Sequence, residues 1–378
     1  MTEIMSKFIP GLVLAESFYH EIVQPVLARS FPGLNHSAGK LHGGSDVLGF
    51  DTPQSMDHGW GPAKIDLFLS EDDCEQLEQD IKKVLADELP HEYRGLPVDF
   101  LTPEIDGGTI GFVASGPVSH RISVTTVAHF FRGYIGLNPL DGISEIEWLL
   151  IAPQSLRTIT SGKVFHDGLN QLKGIQERLR WYPKDIWLYL LSCQWRKIGQ
   201  EEPFMARCGD VGDALGSRVV AARMVDELMR LCFLMERQYW PYYKWFGSAF
   251  SKLECARSLT PIFHSIFTSQ NWKEREGYLS SAYLRVAEMH NHLGVTEYIE
   301  PTIGHFHSRP YQVLHSERFA EALYSKIDSE AVLSLPRHVG GIAQYVDSTD
   351  VLDRIDRCKQ LKVLYERNVQ QPDARDGL

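Results

Sequence analysis

The sequence has no paired-cysteine motif, no long apolar run and no excess of positive charge. Its cysteines, at positions 74, 193, 208, 232, 255 and 358, are scattered and form no CxxC pair, so neither a disulfide framework nor a zinc centre is predicted. No apolar stretch reaches the length of roughly eighteen residues that indicates a membrane span, and the N-terminus has no signal-peptide pattern. These absences predict a cytoplasmic protein without a membrane partner.

The charge balance is acidic. Lys and Arg together number 38 against 49 Asp and Glu, for a net charge of -11. Such a chain is repelled by phosphate backbones, so general nucleic-acid binding is disfavoured, whereas a small anionic substrate held at one site remains compatible. The apolar fraction of 43% over 378 residues predicts a globular protein with room for two domains.

The pattern of apolar residues changes along the chain. The first part mixes helical spacing, as between residues 11 and 29, with the strand-like alternation Ile65, Leu67, Leu69. From about residue 128, helical patterns separated by prolines continue without a strand pattern of any length. We predict an α+β protein with a mixed-sheet head over residues 1–140. We also predict a larger helical domain for substrate or partner contacts over residues 141–369, followed by a flexible tail over residues 370–378.

The segment LHGGSDVLGFDTPQSMDHGWGPAKIDLFL, residues 41–69, carries the pattern that most favours chemistry. Gly43, Gly44 and Ser45 predict a tight turn whose N–H groups can surround a phosphate, because glycine has no Cβ. Asp57 follows after a short loop, where a carboxylate can hold a divalent cation that bridges phosphate oxygens. An ordinary turn at Gly43 and an Asx-type turn before Gly59 are the alternative interpretations.

Further candidates flank Asp57. His58 and Lys64 are candidate contacts for a bound nucleotide. Asp66 stands between Ile65 and Leu67; if these two face the core, Asp66 faces the opposite side of the sheet, which is either a cleft or solvent. Asp57 and Asp66 are therefore the candidate catalytic carboxylates and ligands of Mg²⁺.

These residues resemble the polymerase-beta type of nucleotidyltransferase, which has Gly-Ser at the start of a helix and then Asp-x-Asp on a strand. Gly44-Ser45 and Asp57 match that pattern, but Gly59 replaces the second acid. In an alternative register that ends on Asp66, Lys64 replaces the first acid. DHGWGP, VFHDGL, WYPKDIWLYLL and other segments across nearly the whole chain also resemble a family catalogued as a domain of unknown function with a nucleotidyltransferase-like head.

The resemblance implies Mg²⁺-dependent transfer of a nucleoside monophosphate from a triphosphate such as ATP to a small-molecule or protein acceptor. Gly44 and Ser45 would hold the outer phosphates, and Asp57 with Asp66 would hold the metal. The incomplete acid pair, and a strand near Arg121 that has no acid, favour an alternative. In that alternative the head has lost catalysis and acts as a nucleotide-binding sensor or a scaffold.

The helical half offers charged candidates. Glu202 is a candidate general base for the acceptor, and Arg218 and Arg223 are candidate forked contacts to phosphate or carboxylate. Lys244 lies in an aromatic cluster, residues 239–245, that can stack a base or sugar. A surface ion-pair network and domain-interface contacts are the alternative interpretations.

Overall fold

The computed structural model describes residues 8–101 and 108–366. It confirms the predicted class at the level of a mixed α and β protein, with a small mixed sheet and extensive helical regions. The chain divides into a first unit of residues 1–143 and 154–180 and a second unit of residues 144–153 and 181–378. None of the helices within these described ranges is both long and apolar enough to cross a bilayer. The predicted tail, 370–378, lies outside the described residues.

The first unit holds the four-stranded sheet and its covering helices, and one helix of the second unit, α6 (Glu145–Leu150), interrupts it in sequence. In chain order the elements are α1 (Gly11–Phe18), α2 (Gln24–Ser30), β1 (Ser37–Lys40), α3 (Ser45–Leu48), β2 (Asp66–Leu69), α4 (Glu71–Glu88), β3 (Glu92–Tyr93), β4 (Leu96–Pro97), β5 (Ser123–Thr126), α5 (Val127–Ile135), α6 (Glu145–Leu150), α7 (Pro153–Ser161), β6 (Lys163–Asp167) and α8 (Leu172–Arg178). A π-helical turn, Tyr19–Val23, joins α1 to α2.

The sheet has the order β5-β2-β1-β6. Strand β1 is antiparallel to both β2 and β6, whereas β2 and β5 are parallel. The register sets Gly39 of β1 opposite Asp66 of β2, and Asp66 beside Ser123 of β5. Side chains of paired residues share a face of the sheet, so the register brings distant polar residues together at Asp66.

The core of the first unit lies on one face of this sheet. Ile65, Leu67 and Leu69 point into a cluster that includes Leu14 of α1 and Ile81 of α4. Asp66 therefore faces the other side, as the alternation predicts. It is only 2% exposed, so that side is covered and the interpretation of Asp66 as a solvated strand residue is wrong.

Helix α4 begins at a cap that the sequence predicts. The N–H of Asp73 donates to the Ser70 hydroxyl at 3.1 Å, and acids occupy the first turn, where the helix dipole favours them. We expect Ser70→Ala to lower the free energy of unfolding by about 1 kcal/mol in urea titrations. Ser70→Asp is the control because it keeps a capping oxygen; if it destabilises as much as Ser70→Ala, the cap is not the cause.

The second unit is predominantly helical. After α6 its elements are α9 (Lys184–Glu201), α10 (Phe204–Asp210), α11 (Ala214–Met235), α12 (Phe246–Phe250), α13 (Ala256–Thr268), α14 (Trp272–His292), β7 (Gly304–Phe306), β8 (Arg309–Val313), α15 (Glu317–Tyr324), α16 (Glu330–Leu333), α17 (Thr349–Leu352) and α18 (Ile355–Gln360). Helix α9 is buried along most of its length, from Ile186 to Ile198, so it forms the centre of this unit.

The prediction that no strand interrupts the chain after about residue 128 is wrong. Strand β6 pairs with β1 through Ala38 and His166, and β7 and β8 form a hairpin. Strand β6 lies at the edge of its sheet and is mostly half-buried. An edge strand of this kind lacks the apolar alternation that marks a strand in sequence.

Candidate functional site

The Gly43–Ser45 turn joins β1 to the short helix α3. Gly43 has φ +146°, and a Cβ there would lie 3.0 Å from Val47 Cγ2, so this position requires glycine. Within the described part of the chain, the backbone N–H groups of Gly43, Gly44 and Ser45 donate no hydrogen bond. All three residues are half-buried. The turn therefore presents backbone donors that are free for an anion.

A buried ion pair lies beside this turn. Lys40 and Asp46 are 1% and 4% exposed, and their side chains form a salt bridge. Burial alone would raise the pKa of Asp46, but the attraction and hydrogen bond of Lys40 outweigh it and hold that pKa below its usual range. The sequence prediction did not include either residue.

Asp66 is the centre of a second polar group. Its Oδ2 lies 2.9 Å from His42 Nδ1, and its Oδ1 accepts a hydrogen bond from the Ser123 hydroxyl at 2.8 Å. His42 is 38% exposed and directly precedes the glycine turn. Neither His42 nor Ser123 is among the residues predicted from the sequence. The one local signal for His42 is its position next to the glycine pair, and Ser123 reaches Asp66 only through the strand register.

Lys64 stands two residues before Asp66 on the chain. Its ammonium donates to the carbonyl oxygen of Gly59 at 3.1 Å, and no other acceptor contacts it among the described residues. Burial and then the repulsion of Lys40 lower the pKa of Lys64, while Asp46 and Asp66 oppose that shift. Lys40, Asp46 and Asp66 thus all lie near enough to Lys64 to act on its charge.

Asp57 lies at the end of a 3-10 helix, Pro53–Asp57, and its side chain is 62% exposed. The carboxylate pairs with the exposed His58, with Oδ1 and Nδ1 2.9 Å apart. Within the described residues no hydrogen bond or ion pair connects Asp57 with Ser45 or Asp66. The structure therefore brings His42 rather than Asp57 to Asp66.

The donor set does not fit the expected Mg²⁺. Both oxygens of Asp66 already accept hydrogen bonds, and the Lys64 ammonium, a positive charge, acts on the same carboxylate. In residues 8–101 and 108–366 no group of three or more histidine, cysteine, aspartate or glutamate side chains is arranged to hold a metal ion. Magnesium needs several oxygen ligands and a negative site, and this centre instead supplies its own cations.

Glu202 belongs to the second unit and is 4% exposed. Its carboxylate accepts hydrogen bonds from the N–H groups of His315 and Ser316, at 3.0 and 3.2 Å, and from the Ser316 hydroxyl. Burial raises the pKa of Glu202 to about 7, although these donors oppose the shift. Glu202 thus anchors the start of α15, an arrangement that favours a structural role.

The other candidates of the second unit lie at its surface. Arg218 and Lys244 are exposed, and the Lys244 ammonium lies 5.3 Å from the ring centre of Trp245. Arg223 donates to Glu201 at 2.6 Å, which is the surface ion pair that the alternative interpretation describes. Within the aromatic cluster, Tyr239 and Trp240 are buried.

Comparison with known proteins gives a family match in the helical part of the chain. The model of the family described as "Domain of unknown function (DUF4037)" matches residues 148–246, about a quarter of the 378 residues. This confirms the expected similarity to a domain of unknown function over that region, which lies mainly in the second unit. No curated protein and no solved structure gives a significant match.

Proposed function

We propose that the first unit binds the phosphate groups of a nucleoside triphosphate at the Gly43–Ser45 turn, without a divalent cation. The protein then acts as a nucleotide-binding sensor. The observation that carries this proposal is Lys64, a half-buried cation whose single hydrogen bond among the described residues goes to the carbonyl oxygen of Gly59. An ammonium has three donors, and a phosphate supplies acceptors for the remaining two.

The electrostatics of the centre support an anionic ligand. The lowered pKa of Lys64 reflects burial and the nearby Lys40, which together make its positive charge costly. A bound phosphate offsets this cost because an opposite charge stabilises the ammonium form. The same cation supplies the charge neutralisation that a metal ion provides in metal-dependent sites.

The backbone and two aromatic rings complete the proposed site. The free N–H groups of Gly43, Gly44 and Ser45 match phosphate oxygens. Phe130 and Tyr134, one turn apart on α5, lie with their ring centres 5.5 and 6.2 Å from that of His42. Half-buried aromatic faces at this place favour the stacking of a base.

Replacing Lys64 tests the proposal. We expect Lys64→Met to weaken binding of a non-hydrolysable nucleoside triphosphate by about tenfold or more, since one charged hydrogen bond contributes about 1.5–3 kcal/mol. The measurement is calorimetric titration of the full chain in EDTA. Lys83→Met is the control, because it removes the same charge from an exposed position on α4.

The same titration separates the alternatives. Wild-type protein that binds no triphosphate, or Lys64→Met protein that binds as well as wild type, would refute the proposal. Pyrophosphate release that requires added Mg²⁺ would instead support the metal-dependent nucleotidyltransferase implied by the sequence resemblance. Asp57→Ala distinguishes the metal-free sensor from the metal-dependent transferase, because only the transferase depends on that carboxylate.

A further inference from the structure

His42 and Asp66 form a carboxylate–imidazole pair next to the proposed phosphate site. The distance from Asp66 Oδ2 to His42 Nδ1 is 2.9 Å, and Asp66 is 2% exposed while His42 is 38% exposed. Ser123 donates to the other oxygen of Asp66, so the carboxylate is fixed in place. The pair therefore has a buried, immobile acceptor and a ring that reaches the surface.

This arrangement determines which ring nitrogen is available. The carboxylate accepts the Nδ1–H of His42, which leaves the lone pair on Nε2. Among the described residues no group hydrogen-bonds to His42 Nε2. An oriented imidazole with a free Nε2, half-exposed and adjacent to the glycine turn, has the form of an activated nucleophile.

We propose that His42 Nε2 is the nucleophile that accepts the nucleoside monophosphate group of the bound triphosphate. The proposal rests on the proposed binding of a triphosphate to the first unit. The Nε2 lone pair forms a bond to the α-phosphorus, and the bond from that phosphorus to the bridging oxygen breaks. Pyrophosphate leaves with the electron pair of the broken bond, and His42 carries the nucleotide as a phosphoramidate.

The surrounding charges suit this step. The ring becomes cationic as the bond forms, and Asp66 stabilises that charge through the Nδ1–H. The leaving pyrophosphate gains negative charge, which Lys64 offsets. Neither role requires a metal ion, in agreement with a donor set that does not fit Mg²⁺. Water or an acceptor hydroxyl then attacks the phosphorus, and the bond from phosphorus to Nε2 breaks with its electron pair returning to Nε2. The proton of the attacking hydroxyl passes to solvent, and the nucleotide leaves on the attacking oxygen.

The chain contains a matched pair that lacks the glycine turn. His91 Nδ1 lies 2.7 Å from Asp99 Oδ2, with Asp99 1% exposed and His91 25% exposed. The N–H of Ser119 donates to the other oxygen of Asp99. In this second pair a buried carboxylate orients the histidine in the same way. The pair therefore distinguishes the reactivity of any oriented histidine from reactivity that depends on the glycine turn.

The test is covalent labelling of the full chain with a nucleoside triphosphate that carries ³²P at the α-position, in EDTA. We expect label on the protein that is released by acid and stable to base, as a histidine phosphoramidate is. Mass spectrometry should place one nucleoside monophosphate on the peptide that contains His42. His42→Asn, which keeps a donor for Asp66, should abolish the label, and His91→Asn should retain it.

Asp66→Asn addresses the positioning role. It should slow labelling even at a triphosphate concentration that saturates the variant, because its amide lacks the charge that stabilises the cationic ring. Wild-type protein that binds the analogue but takes up no label would overturn the nucleophile and leave the binding function intact. Label that persists in His42→Asn would also overturn it. Absence of binding would identify failure of the proposed function itself.

Discussion

Lys40→Met is expected to destabilise the first unit by about 3–5 kcal/mol, the cost of breaking a buried ion pair by removing one partner. Lys40 and Asp46 are almost completely buried, so the substitution leaves the carboxylate of Asp46 without its salt bridge. Lys64 also acts on Asp46 but does not form an ion pair with it. Urea unfolding and hydrogen exchange of peptides from β1 and α3 measure the loss.

A double variant shows whether the uncompensated charge is the cause. Lys40→Met combined with Asp46→Asn removes both charges and keeps an oxygen that can accept the Val47 N–H, which Asp46 Oδ1 accepts at 2.9 Å. Replacement of both partners of a buried pair is often nearly neutral, so we expect the double variant to recover most of the lost stability. A double variant as unstable as Lys40→Met would contradict the electrostatic explanation.

The second large effect concerns pH and Glu202. Its pKa in the folded protein is raised from 4.5 to about 7, so between these values the folded state retains a proton that the unfolded state has lost. The contribution of Glu202 to the free energy of unfolding is greatest below pH 4.5. It falls as the pH rises towards 7 and then stays low. The total change for one carboxyl is about 3 kcal/mol. Glu202→Gln, which cannot ionise, should lose this pH dependence.

Unfolding followed by tryptophan fluorescence at a series of pH values measures this effect. The signal comes mainly from the unit that contains Glu202, because every tryptophan except Trp60 lies in the second unit. Glu236→Gln is the matched control: Glu236 accepts the N–H groups of Glu254 and Cys255, both at 2.8 Å, but is only half-buried. It separates the loss of a carboxylate that binds backbone amides from the effect of burial. If Glu202→Gln and wild type show the same slope of stability against pH, burial does not set the ionisation of Glu202.

Local sequence patterns predicted the features that depend on neighbouring residues. The cap at Ser70 follows from a serine before acids and an apolar helical pattern, and the orientation of Asp66 follows from alternation within one strand. These features require no knowledge of which strands pair.

The rest of the site depends on strand pairing, which the sequence does not specify. Asp66 meets Ser123 because β2 and β5 are parallel in one register, and their residues are 57 positions apart. Spacing along the chain favoured Asp57 as the partner of the turn, but the loop that carries it ends in a 3-10 helix with the carboxylate exposed. His42 and Lys40 were missed because neither belongs to the glycine and acid pattern.

The most direct test of metal-free phosphate binding at the glycine turn is a crystal structure of the full chain grown with a non-hydrolysable nucleoside triphosphate in EDTA. We expect phosphate oxygens at the backbone N–H groups of Gly43, Gly44 and Ser45, within hydrogen-bonding distance of the Lys64 ammonium, with no metal between them. A triphosphate bound elsewhere, or an empty turn at a ligand concentration that saturates the protein in solution, would contradict it.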